Sequence, residues 1–305
     1  MAERKKVLIT GAAGFTGQHA CEAFLHADFE VVGLSRTASA RTLPFRMEIC
    51  DLNDERSISE LIQKIQPHYV LHLAGKNSVQ GSWEDPAEYI RSNVMGTVYL
   101  LEAIRSVKPF PRTLVVGSAL EYNPLLLDKP KHPYAISKTL QIMTAQTWEL
   151  LFQMPVMMVR PTNLIGPGPS AGVCSVFGKK IAAMEFGTEP SILHVDDLGA
   201  KRDFLDVRDA VSAYMAILIK GQPGNVYNLG SGVLTSIKDL VCIFKRLTPI
   251  DFTCISREDS SPSVNQEPGL SLQQMLNLGW KPNYSLQQSA ADILDYFRGQ
   301  QRGAE

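Results

Sequence analysis

Short, nearly unbroken apolar runs alternate along the first half of the chain with longer stretches whose apolar residues recur every three or four positions. Lys6–Thr10, Glu30–Leu34, Tyr69–Leu73, Arg112–Gly117 and Pro155–Arg160 predict strands; Phe15–Ala27, Glu55–Gln66, Ala87–Val107 and Tyr134–Leu151 predict the helices between them. Val7-Leu8-Ile9 shows no alternation of apolar with polar positions, and such a strand suits a sheet covered on both faces. Strand followed by helix, repeated, implies right-handed crossovers and parallel neighbours. The pattern predicts an α/β domain, a doubly wound parallel sheet, over residues 1–160.

Beyond Arg160 the pattern loosens. Pro161-Thr162-Asn163-Leu164-Ile165-Gly166-Pro167-Gly168-Pro169 is too rich in proline and glycine for core helix or strand, which places the domain change here. The remainder, 161–305, mixes a short strand at Asn225–Leu229 with helices at Val207–Ile219, Ser236–Leu247 and Leu286–Arg298, and contains no internal repeat. It reads as a smaller C-terminal α/β substrate-binding domain, with a segment near 203–230 returning to the first.

Composition narrows the function classes. A length of 305 residues, 45% of them hydrophobic, suffices for one large core or two smaller ones. Lys and Arg number 30 against 31 Asp and Glu, and no long basic run occurs, so neither nucleic acid nor a membrane surface is an expected partner. Cys21, Cys50, Cys174, Cys242 and Cys254 are scattered without metal-ligand spacing, as reduced, buried thiols are, and no metal site is expected. The chain opens Met-Ala-Glu-Arg-Lys-Lys directly into a strand and has no apolar span near about 20 residues, so the cytoplasm is the default location.

Gly11, Gly14 and Gly17 follow the first strand and open the first helix, where backbone amides and the positive helix end receive phosphate oxygens. A tight turn with no ligand is the bland alternative. The second strand leads into Ser35-Arg36 instead of the acid that usually holds an NAD ribose. Arg36 predicts NADP, with NAD also accepted if Arg36 is only solvated surface. Asp51 is placed to accept from the adenine amino group, or else the Asp51–Asp54 segment caps the next helix.

Tyr134 and Lys138 lie four apart on a helix and so share one face. An ammonium about 4 Å from a phenol, at an effective dielectric near 20, is worth about 4 kcal/mol and pulls the phenol toward neutral-pH ionisation. Ser118 closes the strand before that helix, at the sheet edge where ligands bind, and can polarise a carbonyl oxygen. His19, His26 and His132 are expected to be solvated or capping, and Met157 and Met158 to be sheet core.

These segments, with His72-Leu73-Ala74-Gly75, Asn93 before Gly96-Thr97, Arg160-Pro161 and Leu278-Gly279-Trp280, resemble the extended branch of the short-chain dehydrogenase/reductase family, a Rossmann fold. Within it, Ala200–Asp209, Asn163–Gly168 and Tyr227–Gly232 are most similar to reductases of GDP-linked 4-keto-6-deoxyhexoses. The resemblance implies Ser118, Tyr134 and Lys138 as catalytic residues. It also implies Gly11, Gly14, Phe15, Thr16, Gly17, Arg36, Asp51, Leu52, Leu73, Ala74 and Gly75, with Tyr134 and Lys138, along the cofactor. Lys76, Ser118, Asn163, Arg202 and Arg257 would meet a nucleotide sugar, and two copies would pair as a homodimer through Ala87–Val107 and Tyr134–Leu151.

Three departures bear on the substrate. The stretch between Ser118 and Tyr134 is short, Asn123 stands where the family commonly has glycine, and the late phosphate-binding arginine aligns with either Arg257 or Ser261. Arg202 has the alternative of pairing with Asp203 or Asp206. The rivals are nucleotide-sugar 4,6-dehydratases and 4-epimerases, and, from another class, a non-catalytic NADP-binding regulator. Related dehydratases carry acids just after the catalytic hydroxyl, whereas this chain has Ala119 and Leu120.

Overall fold

The structure is a computed structural model and describes residues 4–38, 43–120, 122, 130–256 and 270–303. In chain order the first half forms β1 (Lys6–Thr10), α1 (Phe15–His26), β2 (Glu30–Ser35), β3 (Arg46–Ile49), α2 (Glu55–Ile65) and β4 (Tyr69–His72). There follow α3 (Val79–Glu84), α4 (Pro86–Ile90), a π turn (Arg91–Met95), α5 (Gly96–Arg105), β5 (Arg112–Val116), α6 (Pro133–Phe152) and β6 (Val156–Pro161). The rest forms β7 (Asn163–Ile165), α7 (Val173–Glu185), β8 (Ile192–Val195), β9 (Lys201–Asp206), α8 (Val207–Lys220) and β10 (Val226–Leu229). Last come β11 (Leu234–Ser236), α9 (Ile237–Leu247), β12 (Thr253–Ser256), α10 (Gln273–Asn277) and α11 (Leu286–Arg302).

Two compact units result. The first comprises Met1–Pro161, Val211–Leu229 and Gln273–Trp280. Its sheet runs β10-β6-β5-β4-β1-β2-β3, parallel throughout. Successive β1 side chains point to opposite faces, and Val7, Leu8 and Ile9 are all fully buried, so helices cover both faces. Ile58, Leu61, Ile62 and Ile65 of α2 and Leu100, Leu101 and Ile104 of α5 supply one side of that core, and Met157 and Met158 lie buried in β6. Strand order reverses between β1 and β4, so their carboxyl ends open a crevice.

The second unit comprises Thr162–Ala210, Gly230–Leu272 and Lys281–Glu305. It holds a three-stranded sheet, β11-β9-β7, and a two-stranded one, β12-β8. Phe177, Ile181, Phe204, Leu240, Phe244 and Ile293 fill its core. Buried Asp206 anchors it, accepting from Arg208 at 2.8 Å and from Ser289 Oγ at 2.6 Å, while Arg208 also reaches Asp292 at 2.7 Å. Among the described residues no helix is long and apolar enough to cross a membrane.

Three expectations need correction. The proline- and glycine-rich stretch is not wholly irregular: Pro161 ends β6 and Asn163–Ile165 pairs in parallel with Phe204–Asp206, because β9 offers a partner that the local sequence does not reveal. The helix expected over Ala87–Val107 contains the π turn. Cys21, Cys50 and Cys174 are buried, but Cys254 is half-buried and Cys242 exposed, since it lies on the outer side of amphipathic α9.

Candidate active site

Gly11 leaves β1 with φ +71°, and a Cβ there would lie 2.9 Å from Ala74 N, so the turn after β1 and the loop after β4 pack backbone to backbone. At Gly17 a Cβ would fall 2.1 Å from Gly11 O, which only glycine avoids. Gly14 is the N-cap of α1, and among the described residues no side chain caps that helix and no acid stands in its first turn. Phe15 and Thr16 open the helix, whose amides and positive end therefore fit a dinucleotide pyrophosphate.

Arg36 is exposed just past β2. Asp51 accepts from Asn53 N at 3.0 Å, beside buried Leu52; the cap of α2 is Asp54, which accepts from Ser57 N at 3.1 Å. Leu73, Ala74 and Gly75 leave β4 toward the glycine turn, and a Cβ on Gly75 would lie 2.7 Å from Asn93 Oδ1 and 3.7 Å from Lys138 Nζ.

Helix α6 meets the α4–π–α5 helix along three rungs. The Tyr134 and Tyr89 rings meet edge to face with centroids 6.4 Å apart, Asn93 Nδ2 donates to Ser137 Oγ at 2.9 Å, and Gln141 Nε2 donates to Thr97 Oγ1 at 3.0 Å. From Tyr134 to Gln141 is seven residues, two helical turns; from Tyr89 to Thr97 is eight. The π turn absorbs the extra residue and keeps all three rungs aligned. Asn93 also accepts from Lys76 N at 2.7 Å and donates to Lys76 O at 3.0 Å, bracing the loop after β4. Lys76 Nζ lies 5.6 Å from the Tyr89 ring centre and 3.9 Å from Glu88.

Ser118, Tyr134 and Lys138 are all buried. Ser118 Oγ accepts from Leu120 N at 3.1 Å. Lys138 Nζ donates to Val116 O at 3.0 Å and to Gln141 Oε1 at 2.8 Å, which ties α6 to the end of β5. His132 caps α6, its Nδ1 accepting from Ala135 N at 3.0 Å, and its ring stacks on Tyr134 with centroids 5.9 Å apart. Burial, with the charge of Lys131 behind it, holds its pKa below the ordinary imidazole value.

Asn163 and Arg202 belong to the second unit. Asn163 Nδ2 donates to Asp203 O at 3.0 Å, and Arg202 donates to Lys201 O at 3.0 Å. The Asp203 carboxylate accepts from Ser231 N at 2.8 Å and Gly232 N at 2.9 Å. Arg257, Ser261 and Asn123 lie outside the described residues. Sequence reasoning missed the stacking of His132 on Tyr134, the bracing by Asn93, and Gln141; a polar residue facing inward on an apolar helix was the available signal for the last.

A parallel sheet with a glycine turn at its switch point and a buried Tyr/Lys pair on the helix after β5 defines a nucleotide-cofactor oxidoreductase of the Rossmann type. The family model for the NAD dependent epimerase/dehydratase family matches residues 7–230. The chain belongs to that family and is an NAD(P)-dependent enzyme of the extended short-chain dehydrogenase/reductase type. It is 30% identical over 304 residues to a GDP-6-deoxy-D-mannose reductase of Pseudomonas aeruginosa, across 95% of this chain and 96% of that protein. A dTDP-D-glucose 4,6-dehydratase of Mus musculus is 26% identical over 96% of this chain and 89% of its own length. The solved structure of Pseudomonas aeruginosa RMD complexed with NADPH superposes with a TM-score of 0.82 at 28% identity, covering 97% of this chain and 100% of that one.

Proposed function

We propose that the protein reduces the 4-keto group of a nucleotide-linked 4-keto-6-deoxyhexose, with GDP-4-dehydro-6-deoxy-D-mannose as substrate and NADPH as reductant. The observation that carries reduction over elimination is the pair Ala119 and Leu120 after Ser118, where no side chain can move a proton. The near full-length similarity to a GDP-6-deoxy-D-mannose reductase supports the sugar, and exposed Arg36 in place of an acid supports the 2′-phosphate cofactor. NADPH, when bound, supplies the hydride. Ser118 polarises the ketone oxygen, Tyr134 gives it a proton, and Lys138 keeps the phenol acidic enough to do so. Asn163 and Arg202 take the nucleotide sugar, the guanidinium by its fork on phosphate oxygens. Exposed Leu140, Met143, Leu150 and Leu151 on α6 support pairing with a second copy.

The test is loss of NADPH absorbance with the GDP keto-sugar, beside the UDP, dTDP and CDP keto-sugars, NADH, and Tyr134→Phe. Turnover with the GDP sugar that falls by about a thousandfold in the variant is the expected result. Turnover with another nucleotide alone removes the GDP assignment, and no turnover with any keto-sugar overturns the reductase reading.

A further inference from the structure

We infer that Gln141 is a positioning residue for Lys138: its uncharged carboxamide fixes the ammonium without cancelling the charge. The inference rests on reading Tyr134 and Lys138 as the proton-transfer pair.

A count of protons fixes the orientation of the amide. Thr97 has one hydroxyl proton, given to Asn93 O at 2.7 Å. Its oxygen therefore accepts from both of its other neighbours, Gln141 Nε2 at 3.0 Å and His72 Nε2 at 2.9 Å. His72 then carries its proton on Nε2, and Nδ1 accepts from Thr10 Oγ1 at 2.8 Å. Thr10 Oγ1 in turn accepts from Ala74 N at 3.1 Å. With the amide nitrogen committed to Thr97, Oε1 of Gln141 is left facing Lys138 and accepts from it at 2.8 Å.

The chain thus runs from the backbone of the loop after β4, through β1, β4 and α5, to the ammonium on α6. Thr10, His72, Thr97 and Gln141 are fully buried, and burial pushes the His72 pKa down to about 3, so this assembly is neutral apart from Lys138. A carboxylate at 141 would pair with the ammonium and cancel its field at Tyr134. An apolar side chain would remove one acceptor from a buried cation. The amide avoids both.

Among the described residues, the titratable groups seen against the pair include His132 at the start of α6, Tyr89 of α4 with Lys76 over its ring, and Tyr214 of α8, which feels the charge of Tyr134. None of them changes in the test. The ionisation of Tyr134 is read as phenolate absorbance of the NADP⁺-bound protein, taken as the difference from Tyr134→Phe, in wild type, Gln141→Glu and the isosteric, uncharged Gln141→Met. In parallel, kcat and KM for NADPH-driven reduction are followed against pH.

Gln141→Glu is expected to raise the ionisation midpoint by at least about one pH unit and to lower kcat at neutral pH about tenfold, with KM for the sugar nearly unchanged. Gln141→Met moves the midpoint the same way by a smaller step. A midpoint within about 0.2 pH units of wild type in both variants overturns the inference, because a merely structural glutamine would lower thermal stability without moving it. If no keto-sugar is turned over, the proposed reaction fails, while the absorbance titration still decides the role of Gln141. A wild-type titration indistinguishable from Tyr134→Phe overturns it as well.

Discussion

His132 joins two roles in one imidazole, capping the helix that carries Tyr134 and Lys138 and stacking on the Tyr134 ring. Only the neutral ring can accept at Nδ1, and its folded-state pKa is held below the ordinary value. The unfolded chain therefore takes up the proton first. The stabilisation is complete above about pH 6.5 and is lost as pH falls through the folded value. His132→Asn keeps a capping side chain that does not titrate there, so thermal melts across this range should lose that part of their slope. His132→Ala should cost about 1 kcal/mol at neutral pH. Equal slopes in wild type and His132→Asn would show that the cap does not respond to pH.

At the scale of elements, the three rungs between α6 and its neighbour depend on one helix having a residue more than the other over the same rise. Deleting Ser92 should let the π turn relax to regular helix, keep the helical circular dichroism, and detach Asn93 from Lys76 and Ser137. Keto-sugar turnover should then fall by about a hundredfold; an unchanged rate would show that the alignment is idle. The sequence announced β1, β2, β4, β5 and β6, with α1, α2, α5 and α6, because their apolar runs are long or their period clean. It did not announce the π turn, which has no composition of its own, nor α3, α7, α10 and β9, nor β3, β7, β8, β11 and β12, three or four residues each, whose pairing comes from other strands. The glycine turn and the Tyr134/Lys138 spacing are local features and so were legible. Gln141 and the stacking of His132 were not, since their partners Thr97 and Tyr134 are met only through folding or through a role that spacing does not display.

At the scale of the whole molecule, neither unit is a continuous piece of chain. The first sheet needs β10 from Val211–Leu229 beside β6, and Arg112 needs the carbonyls of Leu218 and Gly221 as acceptors. A 1–161 fragment should accordingly give no cooperative thermal transition, whereas a sharp one would show that the sheet stands without its last strand. The same interleaving sets an order of events during synthesis. A ribosome delivers β1 to β6 long before β10, so the nascent sheet waits with the outer edge of β6 open, a template for stray pairing. A further piece, Gln273–Trp280, follows β10 later still along the chain. Completion of the first unit thus waits on segments made well after β6, and holdase chaperones should find their longest-lived target in the stretch between β6 and β10.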